Sequence, residues 1–352
     1  MTTHERILRM YQHREADRVP IVDSPWRGTI ARWEREGMPK GMDWADHFGA
    51  DKLGGIGVDI SPRYERKILE ENDRWRIETT NCGVTLRQFK ELDATPEFLD
   101  FTITTPALWL DAKKRMQDLS NRINWKRLEQ DYAQWKAEGR WISAGFWFGF
   151  DVTHSWMVGT ETLLIAMMEE PDWVADMIGT YLDSCIVLFD QIWDAGYTFD
   201  EINWPDDMGY KGTTFFSPAL YRELVQPFHK RAVEWAHKKG IYARLHSCGD
   251  IRTLLPDIVA TGIDALNPLE VKAGMDALQV KRDYGDRLTL HGGVNAVLWR
   301  DRERIIAEIE RLVPWLKEGG GYIFASDHSI PSSVSLENFQ AIIACVKRCG
   351  SY

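Results

Sequence analysis

From residue 141 onward the chain alternates short apolar runs with longer amphipathic ones, and most of the longer ones stop at a glycine. The short runs fall at 141–146, 200–204, 241–246, 263–267, 288–292 and 322–325 and read as strands. The longer ones read as helices. One opens at Ser217-Pro218, a cap followed by proline at the first helical position, and runs to 239 before Gly240. Others lie at 253–260, 275–284, 301–317 and 335–347, ending near Gly262, Gly285, Gly319 and Gly350. Strand, helix, glycine, strand is the repeat of a parallel sheet, in which each strand needs a helical crossover to reach the next. No dinucleotide-binding glycine fingerprint accompanies the repeat, which favours a closed (β/α)8 TIM barrel over a doubly wound sheet. The fold class is therefore α/β.

The first 140 residues are less regular. Residues 29–36 and 111–138 look helical, and Asn81-Cys82-Gly83-Val84-Thr85-Leu86-Arg87 reads as a hairpin turn and strand. No low-complexity linker separates the two parts. The expectation is one domain over 1–352, with 1–140 an excursion folding over the barrel mouth and 141–352 carrying the main βα repeats.

In a barrel of this kind the carboxyl ends of the strands converge on one mouth, where active sites sit. Five successive strand ends here carry polar groups: Asp206 and Asp207, His246 and Cys248, Asn267 and Glu270, His291 and Asn295, Asp327 and His328. His246 and Cys248 are separated by one residue, so both can reach one ion, and imidazole and thiolate are donors that zinc prefers. With His328 they make three N/S ligands with a fourth position open, the pattern of a catalytic zinc. The blander readings are that Asp206 and Asp207 cap a loop and that His154 is a loop histidine. His4, His13, His47, His229 and His237 read as solvated or helix-face residues. Cys345 and Cys349 lie four apart on the last helix with no other donors near them in sequence, and read as packing residues.

The segments Leu245–Asp250 (LHSCGD), GIDALNPLEVKAGMD, YGDRLTLHGGVN and SDHSIP…SLEN, with Asp206-Asp207-x-Gly and Ser217-Pro-x-x-Tyr221 upstream, resemble the uroporphyrinogen decarboxylase superfamily. The resemblance covers residues 195–345, and the amino-terminal part more loosely. It implies a (β/α)8 barrel with its site at the strand carboxyl ends. The metal-free decarboxylases of that superfamily carry an arginine-rich motif, Pro-Val-Trp-x-Met-Arg-Gln-Ala-Gly-Arg, for substrate carboxylates. Here the region reads Pro20-Ile21-Val22-Asp23-Ser24-Pro25-Trp26-Arg27-Gly28, without the paired arginines and with an acid instead. The corrinoid-linked methyltransferases of the same superfamily bind zinc through a His-x-Cys…Cys pattern. His246 and Cys248 match its first two ligands, and His328 stands where the last cysteine would fall.

The resemblance therefore implies a zinc-dependent methyltransferase acting between a small-molecule methyl donor or thiol acceptor and a corrinoid. No corrinoid-binding Asp-x-His-x-x-Gly motif is present, so the corrinoid would arrive on a partner protein. Zinc would lower the pKa of a bound thiol or polarise a methyl-bearing ether or amine. In this reading His246, Cys248 and His328 hold the metal, Asp207, Glu270 and His291 are catalytic, and Asp206, Asn267 and Asn295 contact the cofactor. Glu270 or His291 could replace or supplement a ligand. The alternatives are a metal-independent decarboxylase of a porphyrinogen-like polyacid and a non-catalytic tetrapyrrole- or corrinoid-binding protein. A net charge of −10 disfavours nucleic acid and anionic membranes as partners. The amino terminus lacks the apolar core of a signal peptide, no stretch is apolar enough to span a bilayer, and five scattered cysteines suit reduced thiols, so the expected location is cytoplasmic.

Overall fold

A computed structural model of the chain describes residues 1–90 and 95–352. Seven parallel strands follow one another round a curled sheet in chain order: β1 (Leu53–Ile56), β2 (Trp141–Gly145), β3 (Glu201–Pro205), β4 (Tyr242–His246), β5 (Ala265–Asn267), β6 (Thr289–His291) and β7 (Tyr322–Ile323). The two free edges are joined by residues 20–22. Phe324 donates to the Pro20 carbonyl at 2.8 Å, Val22 to the Phe324 carbonyl at 3.0 Å, and Asp51 to the Ile21 carbonyl at 2.9 Å. This short eighth stave closes the ring. Sequence reading missed both 20–22 and β1, because one begins with proline and the other is Leu-Gly-Gly-Ile, with two residues that disfavour strands.

The amino-terminal region is not all at the mouth. Helix Thr3–Tyr11, opened by a capping box of Thr2 and Glu5, buries Ile7, Met10 and Tyr11 against the amino ends of the strands. Tyr11 stacks on Trp141 at 5.2 Å and on Tyr242 at 4.5 Å, and Thr289 donates to the Met10 carbonyl at 3.0 Å. The helix is an apolar plug for the end of the barrel opposite the mouth. The excursion expected at the mouth is instead the four-stranded antiparallel sheet of Lys67–Glu71, Trp75–Thr79, Val84–Phe89 and Glu97–Phe101. It leaves the carboxyl end of β1 and packs Phe98 on Trp156, beyond the carboxyl end of β2, with ring centroids 5.3 Å apart. Asn81–Gly83 forms the turn before its third strand, as its sequence suggests. The helix expected over 111–138 is two, Pro106–Gln117 and Trp125–Ala137, each started by its own side-chain cap, Thr105 and Asn124.

Inside the ring, alternate residues point to the axis. On β3 and β4 these include Glu201 and Arg244, a buried ion pair closed at 2.7 Å. Ser143 donates to Glu201 at 2.8 Å, and Tyr11 and Asn203 complete the network. Among the described residues no helix is long and apolar enough to cross a membrane.

Candidate metal centre at the barrel mouth

β4 ends at His246, and the chain then turns through Ser247-Cys248-Gly249 with Gly249 at φ +85°. That conformation is open to glycine and strained for other residues. β3 ends at Pro205, and Asp207 follows on the adjoining loop. The two loops are stitched together: Asp206 N–H donates to the His246 carbonyl at 2.7 Å and Cys248 N–H donates to Asp207 Oδ1 at 2.7 Å.

The result is a compact donor set. Asp207, His246 and Cys248 offer one ligand atom each, all within 4.8 Å of one another. Cys248 Sγ lies 3.3 Å from His246 Nε2, and Nε2 lies 3.7 Å from Asp207 Oδ1. Tetrahedral zinc bonds place donors roughly 3.3–3.8 Å apart, so the set fits that ion. The His246 ring is turned for the purpose. Its Nδ1 is 2.5 Å from Asn267 Oδ1, and Asn267 Nδ2 donates to the His291 carbonyl at 2.9 Å. With the amide anchored that way its oxygen must accept, so the ring proton sits on Nδ1 and the Nε2 lone pair faces Cys248 and Asp207. Burial, then the charges of Asp207 and Glu270, push the Cys248 thiol well above its ordinary range. Burial is also the main cause that raises Asp207, opposed by His246.

The other expected site residues lie as follows. His328 is exposed, with its ring 6.2 Å from Trp26, and is outside the compact set. Although its surface is open to solvent, the protein atoms crowded round the ring partly desolvate it and, with Lys272, lower its imidazole pKa. The nearby third donor is thus the carboxylate of Asp207, because the Asp206-Asp207 loop is tied to the Cys248 turn while residues 326–330 are tied to the amino-terminal stave through Asp23 and Ser24. Glu270 Oε2 accepts from Gly249 N–H at 2.6 Å and holds the turn, while Oε1 pairs with Lys272 at 3.1 Å. Asn267 orients His246. Asn295 caps the short helix Ala296–Leu298 by accepting from Val297 N–H at 3.0 Å. Asp327 accepts from the Ala296 and Val271 amides at 2.6 and 2.9 Å.

Asp206 does not face the mouth. It is wholly buried and accepts from the Asp151 amide at 2.7 Å and from His229 Nε2 at 2.8 Å. His229, expected to be a solvated or helix-face residue, is wholly buried as well. The signal was present: His229, Ala232, Val233 and Ala236 recur at helical spacing on the buried face of helix Gln226–Lys238.

His291 is an interior residue. Nε2 donates to the Val22 carbonyl at 2.9 Å, and Nδ1 is buried with no hydrogen-bond partner among the described residues. Burial, then Arg244, lower its pKa from 6.5 to about 4. The unfolded chain therefore binds this proton first, and stability present above pH 6.5 is lost as the pH falls towards 4. The full contribution is roughly 3 kcal/mol. We expect His291→Gln to flatten the pH dependence of the urea midpoint across that window. Profiles of equal slope for the two proteins would refute the assignment.

The profile of the family described as Uroporphyrinogen decarboxylase (URO-D) matches residues 136–349, more than half of the chain. The chain belongs to this family. Among curated relatives, the uroporphyrinogen decarboxylase of Chlorobium phaeovibrioides is 30% identical over 133 residues, 36% of this chain and 37% of that protein. That of Chlamydia muridarum is 31% identical over 90 residues, 25% of this chain and 26% of that one. The chain thus aligns with between a quarter and little more than a third of these curated relatives' length. A solved methyltransferase from Methanosarcina mazei superposes along 99% of both chains with a TM-score of 0.62 at 17% identity, a likeness of fold. The family and that superposition agree with a barrel fold, and the donor set stands at the strand carboxyl ends, where sites in such barrels usually lie.

Proposed function

We propose that this family member is a zinc-dependent methyltransferase, passing a methyl group between a small-molecule donor or thiol acceptor and a corrinoid carried on a partner protein. The observation that carries the reading is the meeting of His246 Nε2, Cys248 Sγ and Asp207 Oδ1 at ligand spacing. His246 and Cys248 would hold the ion with Asp207 as the third ligand, in place of His328, and the fourth position would take the substrate. When bound, zinc supplies a Lewis acid that makes a thiol more acidic or polarises a methyl-bearing oxygen or nitrogen. The chain's own part is positional. Asn267 fixes the His246 tautomer, Glu270 holds the Gly249 amide, and Asp207 braces the Cys248 amide. Methyl transfer is an in-line displacement, so a rigid mouth that fixes the acceptor contributes by orientation. A cytoplasmic location belongs to the same reading.

The decisive experiment is elemental analysis of the purified protein beside Cys248→Ser. About one zinc per chain, absent or much reduced in the variant, is expected, followed by methyl-transfer assays with a corrinoid protein. The decarboxylase reading has the names of the curated relatives in its favour. A protein prepared without chelator that neither contains nor takes up zinc would sink the methyltransferase mechanism. Decarboxylation, or ligand binding without turnover, would then lead.

A further inference from the structure

A buried polar chain runs behind the donor set. The Tyr221 hydroxyl lies 3.0 Å from His229 Nδ1, and His229 Nε2 lies 2.8 Å from Asp206 Oδ2. All three residues are fully buried. Asp206 then makes two backbone links, accepting from Asp151 N–H at 2.7 Å and donating its own N–H to the His246 carbonyl at 2.7 Å. We propose that Tyr221, His229 and Asp206 are positioning residues that set Asp207 and His246 at metal-ligand spacing, an inference that rests on the metal reading above.

Three features argue that this is more than a satisfied core. First, the segment 206–207 is fastened to 246–248 at both ends, through the Asp206 amide and through Asp207 Oδ1 on the Cys248 amide. A shift of Asp206 moves the Asp207 carboxylate and the His246 backbone together. Second, the helix has been altered to build the chain. In an unbroken α-helix, residues eight apart are turned about 80° from each other. The widened π-turn Tyr221–Val225 absorbs one extra residue and brings that offset to about −20°, so Tyr221 and His229 share a face. Third, the loop after β2 is cut to fit. A Cβ on Gly149, at φ +112°, would stand 2.4 Å from Asp206 Oδ2, so only glycine admits the carboxylate there. The rings of Trp204 and Phe148 close on His229 at 5.4 and 5.9 Å and keep it from turning. An apolar trio of equal volume would serve packing alone at least as well.

The test uses the full chain and reads metal binding rather than turnover. Zinc dissociation constants by chelator competition and the visible bands of the cobalt(II)-loaded protein are compared for wild type, His229→Ala, His229→Gln and Tyr221→Phe, with apo-protein melting beside them. His229→Ala should weaken zinc at least ~10-fold and alter the cobalt bands, as loss of residues behind metal ligands does. His229→Gln, which keeps a donor to Asp206, should recover most of the affinity, and Tyr221→Phe should fall between. If His229→Ala does not fold, Tyr221→Phe still reads the effect. Zinc binding within about 2-fold of wild type, with unchanged cobalt bands, in His229→Ala, or in Tyr221→Phe should the first not fold, would overturn the positioning role whatever the melting temperatures. A wild type that binds no zinc would instead overturn the metal reading beneath it.

Discussion

Arg244→Met is expected to destabilise the protein by about 3–5 kcal/mol, the usual cost of leaving one partner of a buried ion pair without the other. Arg244 and Glu201 meet inside the barrel, where Glu201 is wholly buried and the Arg244 side chain keeps 11% of its surface exposed. Burial works against both charges. Even so, the Glu201 carboxyl is held below its ordinary range, because Arg244 and the donors from Tyr11 and Ser143 outweigh that burial. Removing the guanidinium leaves the burial penalty and takes away its main compensation. The double variant Glu201→Leu/Arg244→Met should regain much of the loss, since it removes both charges. Urea unfolding at pH 7 measures each term. A single variant within 1 kcal/mol of wild type would mean that Glu201 protonates or finds water at little cost. The pH dependence has a definite sign. A depressed carboxyl contributes stability above its unfolded pKa and loses it as the pH falls through the folded value, so this pair should weaken in acid.

Gly249→Ala should remove the metal site and much of the stability in one step. A Cβ at this position would stand 2.0 Å from the Gly209 carbonyl carbon and 2.5 Å from the Tyr210 amide nitrogen, both backbone atoms with no rotamer to change. Gly249 also lies at φ +85°. Strain at that φ costs roughly 1–2 kcal/mol and overpacking another 1–3 kcal/mol, so a loss of about 3 kcal/mol or more is expected. Gly209–Tyr210 pairs with Thr213–Thr214 in a short hairpin, and relief can come only by moving the Cys248 turn away from it, which pulls Cys248 Sγ from Asp207 and His246. Gly196→Ala is the control: its φ is +94°, but a Cβ there meets nothing within 4 Å. It should show the backbone strain alone and keep zinc affinity. Equal effects of the two substitutions on zinc binding would refute the argument.

The barrel was legible where side chains repeat. Strands β2 to β7 are apolar runs bounded by glycine and caps, and the structure places each within a few residues of its expected position. The stave at 20–22 was not legible, since its pairing comes from closing the ring and not from local propensity. The candidate site was legible in the same partial way. His246 and Cys248 stand two apart at a strand end, a spacing that local geometry turns directly into proximity. Asp207 was read as catalytic and His328 as the ligand; that Asp207 and not His328 lies beside His246 and Cys248 depends on which loops are tied to the Cys248 turn. No local pattern carries that information.

His229 shows the difference most sharply. It was read as a solvated or helix-face residue although its helical periodicity pointed to a buried face, and nothing in the neighbouring residues could tell that the carboxylate waiting there belongs to Asp206, twenty-three positions away. The sequence by itself determined the elements, their order and the strand ends at which chemistry can occur, because periodicity and capping act over a few residues. Which side chains meet at the mouth was decided only by the tertiary structure. Hydrogen bonds such as Cys248 N–H to Asp207 and His246 Nδ1–H to Asn267 join neighbouring strands or the loops after them, and the pairing of those strands in the sheet is what brings the partners within reach.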